Sequence, residues 1–137
     1  MKNFILGAAL AMSVFCGCRV IDESHNYAAD QLQARMLGEK FARSFAEADS
    51  QTFMDCLSAE LRYSMNEEKF ATSYQQITEK FGNVESCEFL SELENPIYEI
   101  QLWKMSFEKD RTVNDMVFRV LMAEDSGKMQ VVSFAFL

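Results

Sequence analysis

Few residues of this chain are of the kinds that do chemistry, and fewer stand at useful spacings. Histidine occurs once, as His25, and cysteine four times, as Cys16, Cys18, Cys56 and Cys87. A nucleophilic thiol or hydroxyl needs a base beside it. His25 falls in a polar, aperiodic stretch where a solvated loop residue is the simple reading, so Cys-His and Ser-His-Asp arrangements both fail. Two cysteines without histidine or CxxC spacing do not make a metal site, and no metal is expected. The carboxylate pairs Glu67-Glu68 and Glu92/Glu94 are accounted for by a helix start and a turn. No GxGxxG and no P-loop is present, so no cofactor is implied. The sequence offers no catalytic set.

The chain has 137 residues, a length natural to one domain. Its formal net charge of −8 repels phosphate backbones, which argues against nucleic acid as a partner. Twelve phenylalanines against five glycines and one proline favour long regular elements over disorder.

The N-terminus carries an address. Lys2 precedes an apolar run from Phe4 to Phe15 that is shorter than the roughly 20 residues a membrane-spanning helix needs. It fits the core of a signal segment. Phe15-Cys16-Gly17-Cys18 then resembles the lipobox of bacterial lipoproteins, in which a small residue precedes the cysteine that is acylated. The resemblance implies a signal segment over 1–17, lipidation at Cys18, and a polar tether over 18–26 holding the domain outside the cytoplasm on a membrane. The alternative is ordinary signal cleavage and a soluble secreted protein. An extracytoplasmic address permits a Cys56–Cys87 disulfide, worth roughly 3–4 kcal/mol by loop entropy. The competing reading is two buried free thiols.

From residue 27 onward the periodicity predicts a single α+β domain. Leu37, Phe41 and Phe45 mark one helix over 27–48, and Phe53, Cys56 and Leu57 a second, short one. Leu61 to Met65 reads as a connection. Asn66 caps a third helix over 67–81, in which Phe70, Tyr74, Ile77 and Phe81 share a face and Gly82 ends the run. The period then becomes two. Cys87 to Leu93 reads as a strand, and Asn95-Pro96 as a turn. Along Ile97 to Phe107 the apolar set changes parity between Leu102 and Trp103, which predicts a bulge or a sharp twist there. Met116 to Met122 forms a third strand, Asp125-Ser126-Gly127 a hairpin, and Val132 to Phe136 a fourth strand. Three N-terminal helices packed on a four-stranded antiparallel sheet follow.

This order, with Phe41 and Phe45, Ala48-Asp49 before Phe53, Asn66-Glu67-Glu68-Lys69-Phe70 and Phe81-Gly82, resembles the nuclear transport factor 2-like (cystatin-like) fold. The resemblance covers Leu37 to Phe136, although many relatives place a strand among the helices and none is evident here. It implies a cone between sheet and helices that Tyr63, Tyr74, Tyr98 and Trp103 could line; the competing and favoured reading is that these rings simply fill the core, as aromatics at helical or strand spacing usually do. Some enzymes of the superfamily hold an acid and a tyrosine there, a role Asp55 or Glu99 would fill in a ketosteroid-isomerase-like site. Without catalytic groups, the favoured expectation is a non-enzymatic, membrane-tethered binding domain of the cell envelope. Val117, Leu121, Val131 and Leu137 are the residues through which the sheet is expected to meet a second copy or an envelope protein.

Overall fold

A computed structural model describes residues 29–108 and 115–137. The chain divides into two compact units, 1–33 and 34–137. The described part of the first is helical, over 29–33; everything below concerns the second. The lipobox, Cys18 and His25 lie outside the described residues.

The fold is α+β, with four helices ahead of the sheet. Helix α1 is described over 29–46, followed by α2 (Ser50–Cys56), α3 (Ala59–Ser64) and α4 (Glu67–Phe81). Helix α3 replaces the expected connection at Leu61 to Met65. Its ends explain why it forms without an apolar stripe. The Ser58 hydroxyl accepts from Leu61 N, Glu60 sits in the first turn and Arg62 in the last, and no residue of it is buried. The other caps follow the sequence. Asp49 accepts from Thr52 N, Asn66 accepts from Lys69 N, and Gly82 closes α4 at φ 89°. Helix α1 ends with Ala48 at φ 55°, its N–H donating to Phe45 O and that of Asp49 to Ser44 O. This is a Schellman closure with alanine where glycine is preferred.

Strands β1 (Val84–Leu93), β2 (Glu99–Phe107), β3 (Asp115–Asp125) and β4 (Lys128–Phe136) form an antiparallel meander in that order. The tight hairpin between β3 and β4 has Ser126 and Gly127 at φ 54° and 79°. Beyond β4, Leu57 makes an isolated parallel bridge to Val131, and Ser58 N donates to Val131 O. The segment between α2 and α3 is thus a fragment of strand, an element the sequence concealed because it is only one bridge long.

The expected bulge in β2 is a correction. Strand β2 pairs with β3 without interruption, and Gln101, Trp103, Met105 and Phe107 all point inward and are buried. The extra residue is Leu90 on the neighbouring strand, since Phe89 pairs with Trp103 while Ser91 pairs with Leu102. Strand β2 carries apolar residues on both faces, Trp103, Met105 and Phe107 inward and Ile100 and Leu102 outward. A second irregularity makes Val132 the extra residue of β4 and turns Val131 into the core, fully buried opposite Met122. Val131 therefore does not belong to the outward surface.

The helices cover one face of the sheet. Phe41 and Phe45 from α1, Phe53 from α2, Phe70 and Tyr74 from α4, and Phe118, Phe134 and Phe136 from the sheet form one network of rings. Centroids of Phe53 lie 4.5 Å from Phe41 and 4.6 Å from Phe70, inside the range where aromatic pairs attract beyond simple burial. Phe70 is buried, whereas Ile77 and Phe81 are half-buried at the core margin, with Phe81 against Phe107.

Candidate functional site

The ring network occupies the space in which a cone pocket would lie. Phe41, Phe53 and Phe118 are each at most 1% exposed, so no binding volume separates them. The four aromatic residues expected to line a cone are not brought together. Tyr63 is 94% exposed on α3, and Tyr98 stands at the surface just before β2. Tyr74 is part of the ring network against Phe45 and Phe70. Trp103 is buried on the inward face, edge-on to Phe89. Asp55 is exposed on α2, and Glu99 is half-buried at the start of β2.

Among the described residues the buried polar side chains are Ser44 and Gln101. Ser44 Oγ donates to Phe41 O within its own helix. Gln101 accepts from Trp103 Nε1 at 3.1 Å, and its Nε2 has no partner. Gly38 of α1 packs directly on this amide, leaving no room for a Cβ. The hydrogen bond lies within β2, and the helix meets it through the close approach of Gly38. An amide and an indole supply neither a base nor a nucleophile at neutral pH. Beside it, the Arg35 guanidinium lies 3.1 Å from the Phe89 ring centre and pairs with Glu92 at 2.8 Å, which fastens α1 to β1.

Cys56 is buried and Cys87 half-buried, and both are free thiols. Burial pushes both up, Cys87 to about 11. Both are thus held as inert thiols at neutral pH. No group of three or more His, Cys, Asp or Glu capable of holding a metal occurs among the described residues, and no described helix is long and apolar enough to cross a membrane.

The face turned away from the helices is different. Its rows run across the sheet as Leu93–Ile100–Leu121–Ser133, Ser91–Leu102–Arg119–Ala135, and Glu88–Lys104–Val117, with Leu137 N donating to Val117 O at the end of the last. Ile100, Leu102, Val117, Leu121 and Ala135 are half-buried, and Leu93 and Leu137 are exposed. Lys104 Nζ pairs with Glu88 at 2.8 Å, a contact that raises the lysine's pKa. Ser106 Oγ donates to Asp115 at 2.6 Å. Among the described residues no partner is seen for Arg119 Nε, which is shut off from water. Toward the β4 edge the face runs into an open groove of about 530 Å³, walled by Ala59 and Leu61 of α3 and floored by Ala123, Gln130 and Val132.

Sequence reasoning identified Val117, Leu121 and Leu137 on this surface and missed Ile100, Leu102 and Arg119. The alternation along β2 held the signal for the first two. Nothing in the sequence marks an arginine as unpaired. No family model and no curated protein matches the chain.

Proposed function

We propose that this chain is a non-enzymatic interaction domain of the bacterial cell envelope, lipid-anchored through Cys18 and folded as a member of the nuclear transport factor 2-like class. Its working surface is the outward face of the sheet. The observation that carries the reading is the contrast between the two faces. The inward face is sealed by interlocked rings, and the polar side chains buried there among the described residues are Ser44 and Gln101. The outward face leaves leucine, isoleucine and valine side chains half-covered around a cation. An apolar area of this kind is a protein-contact surface more often than bare surface. The short strand fragment at Leu57 and the four-stranded meander support the fold-class reading; the export signal and Gly17-Cys18 support the address.

A photoactivatable amino acid placed at Leu102 or Leu121 of the full-length protein in intact cells tests the reading. A discrete adduct is expected from either position and none from Gln76 on the exposed side of α4. Equal or absent cross-linking at all three positions would overturn it.

A further inference from the structure

We propose that the outward sheet face receives an apolar protein segment that presents a single carboxylate to Arg119; the inference rests on reading that face as the interaction surface. Arg119 lies at the middle of the apolar rows. Leu102 pairs with it on one side and Ala135 on the other, and Val117 and Leu121 flank it along β3. Among the described acids of the same face, Glu88 pairs with Lys104, Asp115 accepts from Ser106 and Asp125 accepts from Ser126. Arg119 Nε is shut off from water with no acceptor among the described residues, a costly state for a charged donor.

The guanidinium fork matches a carboxylate in two parallel hydrogen bonds, and the surrounding aliphatic groups would exclude water from such a pair. The chain's net charge of −8 opposes a broadly acidic partner at long range. The fitting occupant is therefore apolar apart from one acid. A second copy does not satisfy these conditions, because a two-fold axis through the centre of the face would set Arg119 against its own copy.

The probes are two helical peptides with one apolar face, identical except for Glu or Gln at its centre, titrated against the full-length protein by calorimetry. The Glu peptide is expected to bind about tenfold more tightly than its Gln twin. Arg119→Gln and Arg119→Met should each remove that difference, while Lys104→Gln preserves it. Equal affinity of the two peptides for the unmodified protein, both lost in Leu121→Lys, would overturn the carboxylate inference and leave the interaction face standing. Failure of both peptides to bind, with cross-linking at Leu102 and Leu121 intact, would have the same consequence. A concentration-dependent dimer that excludes the peptides would assign the face to a second copy. Decanoate competing with the Glu peptide at equal affinity would assign it to a lipid. Either result overturns the proposal.

Discussion

Gly38→Ala tests the closest approach between helix and sheet. In an open helix the change would add roughly 1 kcal/mol of stability through propensity. Here the new Cβ would overlap Gln101 Oε1 and stand 2.7 Å from its Cδ and 3.2 Å from its Nε2. Gln101 is 1% exposed, so its side chain cannot swing into solvent. It must shift within the core and give up the bond from Trp103 Nε1. An orphaned buried N–H costs about 1–3 kcal/mol, and overpacking adds about 1–3 kcal/mol. Against the propensity gain, the net destabilisation should be about 1–5 kcal/mol. Urea melts should show it as a lower midpoint at unchanged slope. In the double variant with Gln101→Ala the overlap is gone, and the coupling energy from the four-protein cycle should be favourable by more than about 1 kcal/mol. A Gly38→Ala protein as stable as its parent, or strictly additive changes, would refute the packing argument.

Phe53→Ala removes the ring that joins Phe41, Phe70 and Phe134 and should cost about 3–5 kcal/mol in the same melts, whereas half-buried Phe81→Ala should cost clearly less. Ala48→Gly should stabilise the protein by about 1 kcal/mol, because φ 55° strains alanine and suits glycine; no gain would mean the α1 terminus is not left-handed. With its pKa raised to about 11, Cys87 should resist iodoacetamide at pH 7 and react faster as pH climbs toward that value, and urea should release the thiol at neutral pH. Rapid native labelling at pH 7, or a Cys56–Cys87 linked peptide under non-reducing digestion, would contradict two buried free thiols. Cys18→Ala should leave the precursor uncleaved in cells, and an unmodified mature N-terminus by mass spectrometry would defeat lipidation at that residue.

The sequence shows α4 to the residue and places the β3–β4 turn, because Asn66, Gly82 and the Asp125-Ser126-Gly127 hairpin are local signals that tertiary contacts do not override, whereas β3 itself runs three residues past the expected Met122. Helix α3 was hidden for the opposite reason. It buries no residue, so no apolar period marks it, and its capping serine precedes an otherwise featureless run. The bulges were hidden because each depends on which residue of the adjacent strand lies opposite. The parity change at Leu102–Trp103 points to the right level of the sheet and the wrong strand. Of the four rings weighed between cone and core, Trp103 and Tyr74 pack in or against the core, while Tyr63 and Tyr98 stand at the surface, since aromatic type does not distinguish a ring facing solvent from one facing the core.

The two-faced character of β2 ties the fold to its use. In an antiparallel sheet with helices on one side only, the uncovered side ordinarily reads polar. The outward residues of β2 follow that rule at one end, as Lys104 and Ser106, and break it at the other, as Ile100 and Leu102. The break continues sideways into Leu121 on β3 and Leu93 on β1, and so runs across three strands. It cannot come from the demands of the inward core, because strand alternation decouples the two faces. Nor does strand propensity require it, since threonine or tyrosine would serve an exposed strand equally well. The patch is also bounded, by the Lys104–Glu88 pair along one side and by Ser133 at its β4 end. A bounded apolar area with polar groups at its edge has the composition of an interface core and its rim. Arg119 is the exception inside that boundary, which makes it the place where such an interface would acquire specificity.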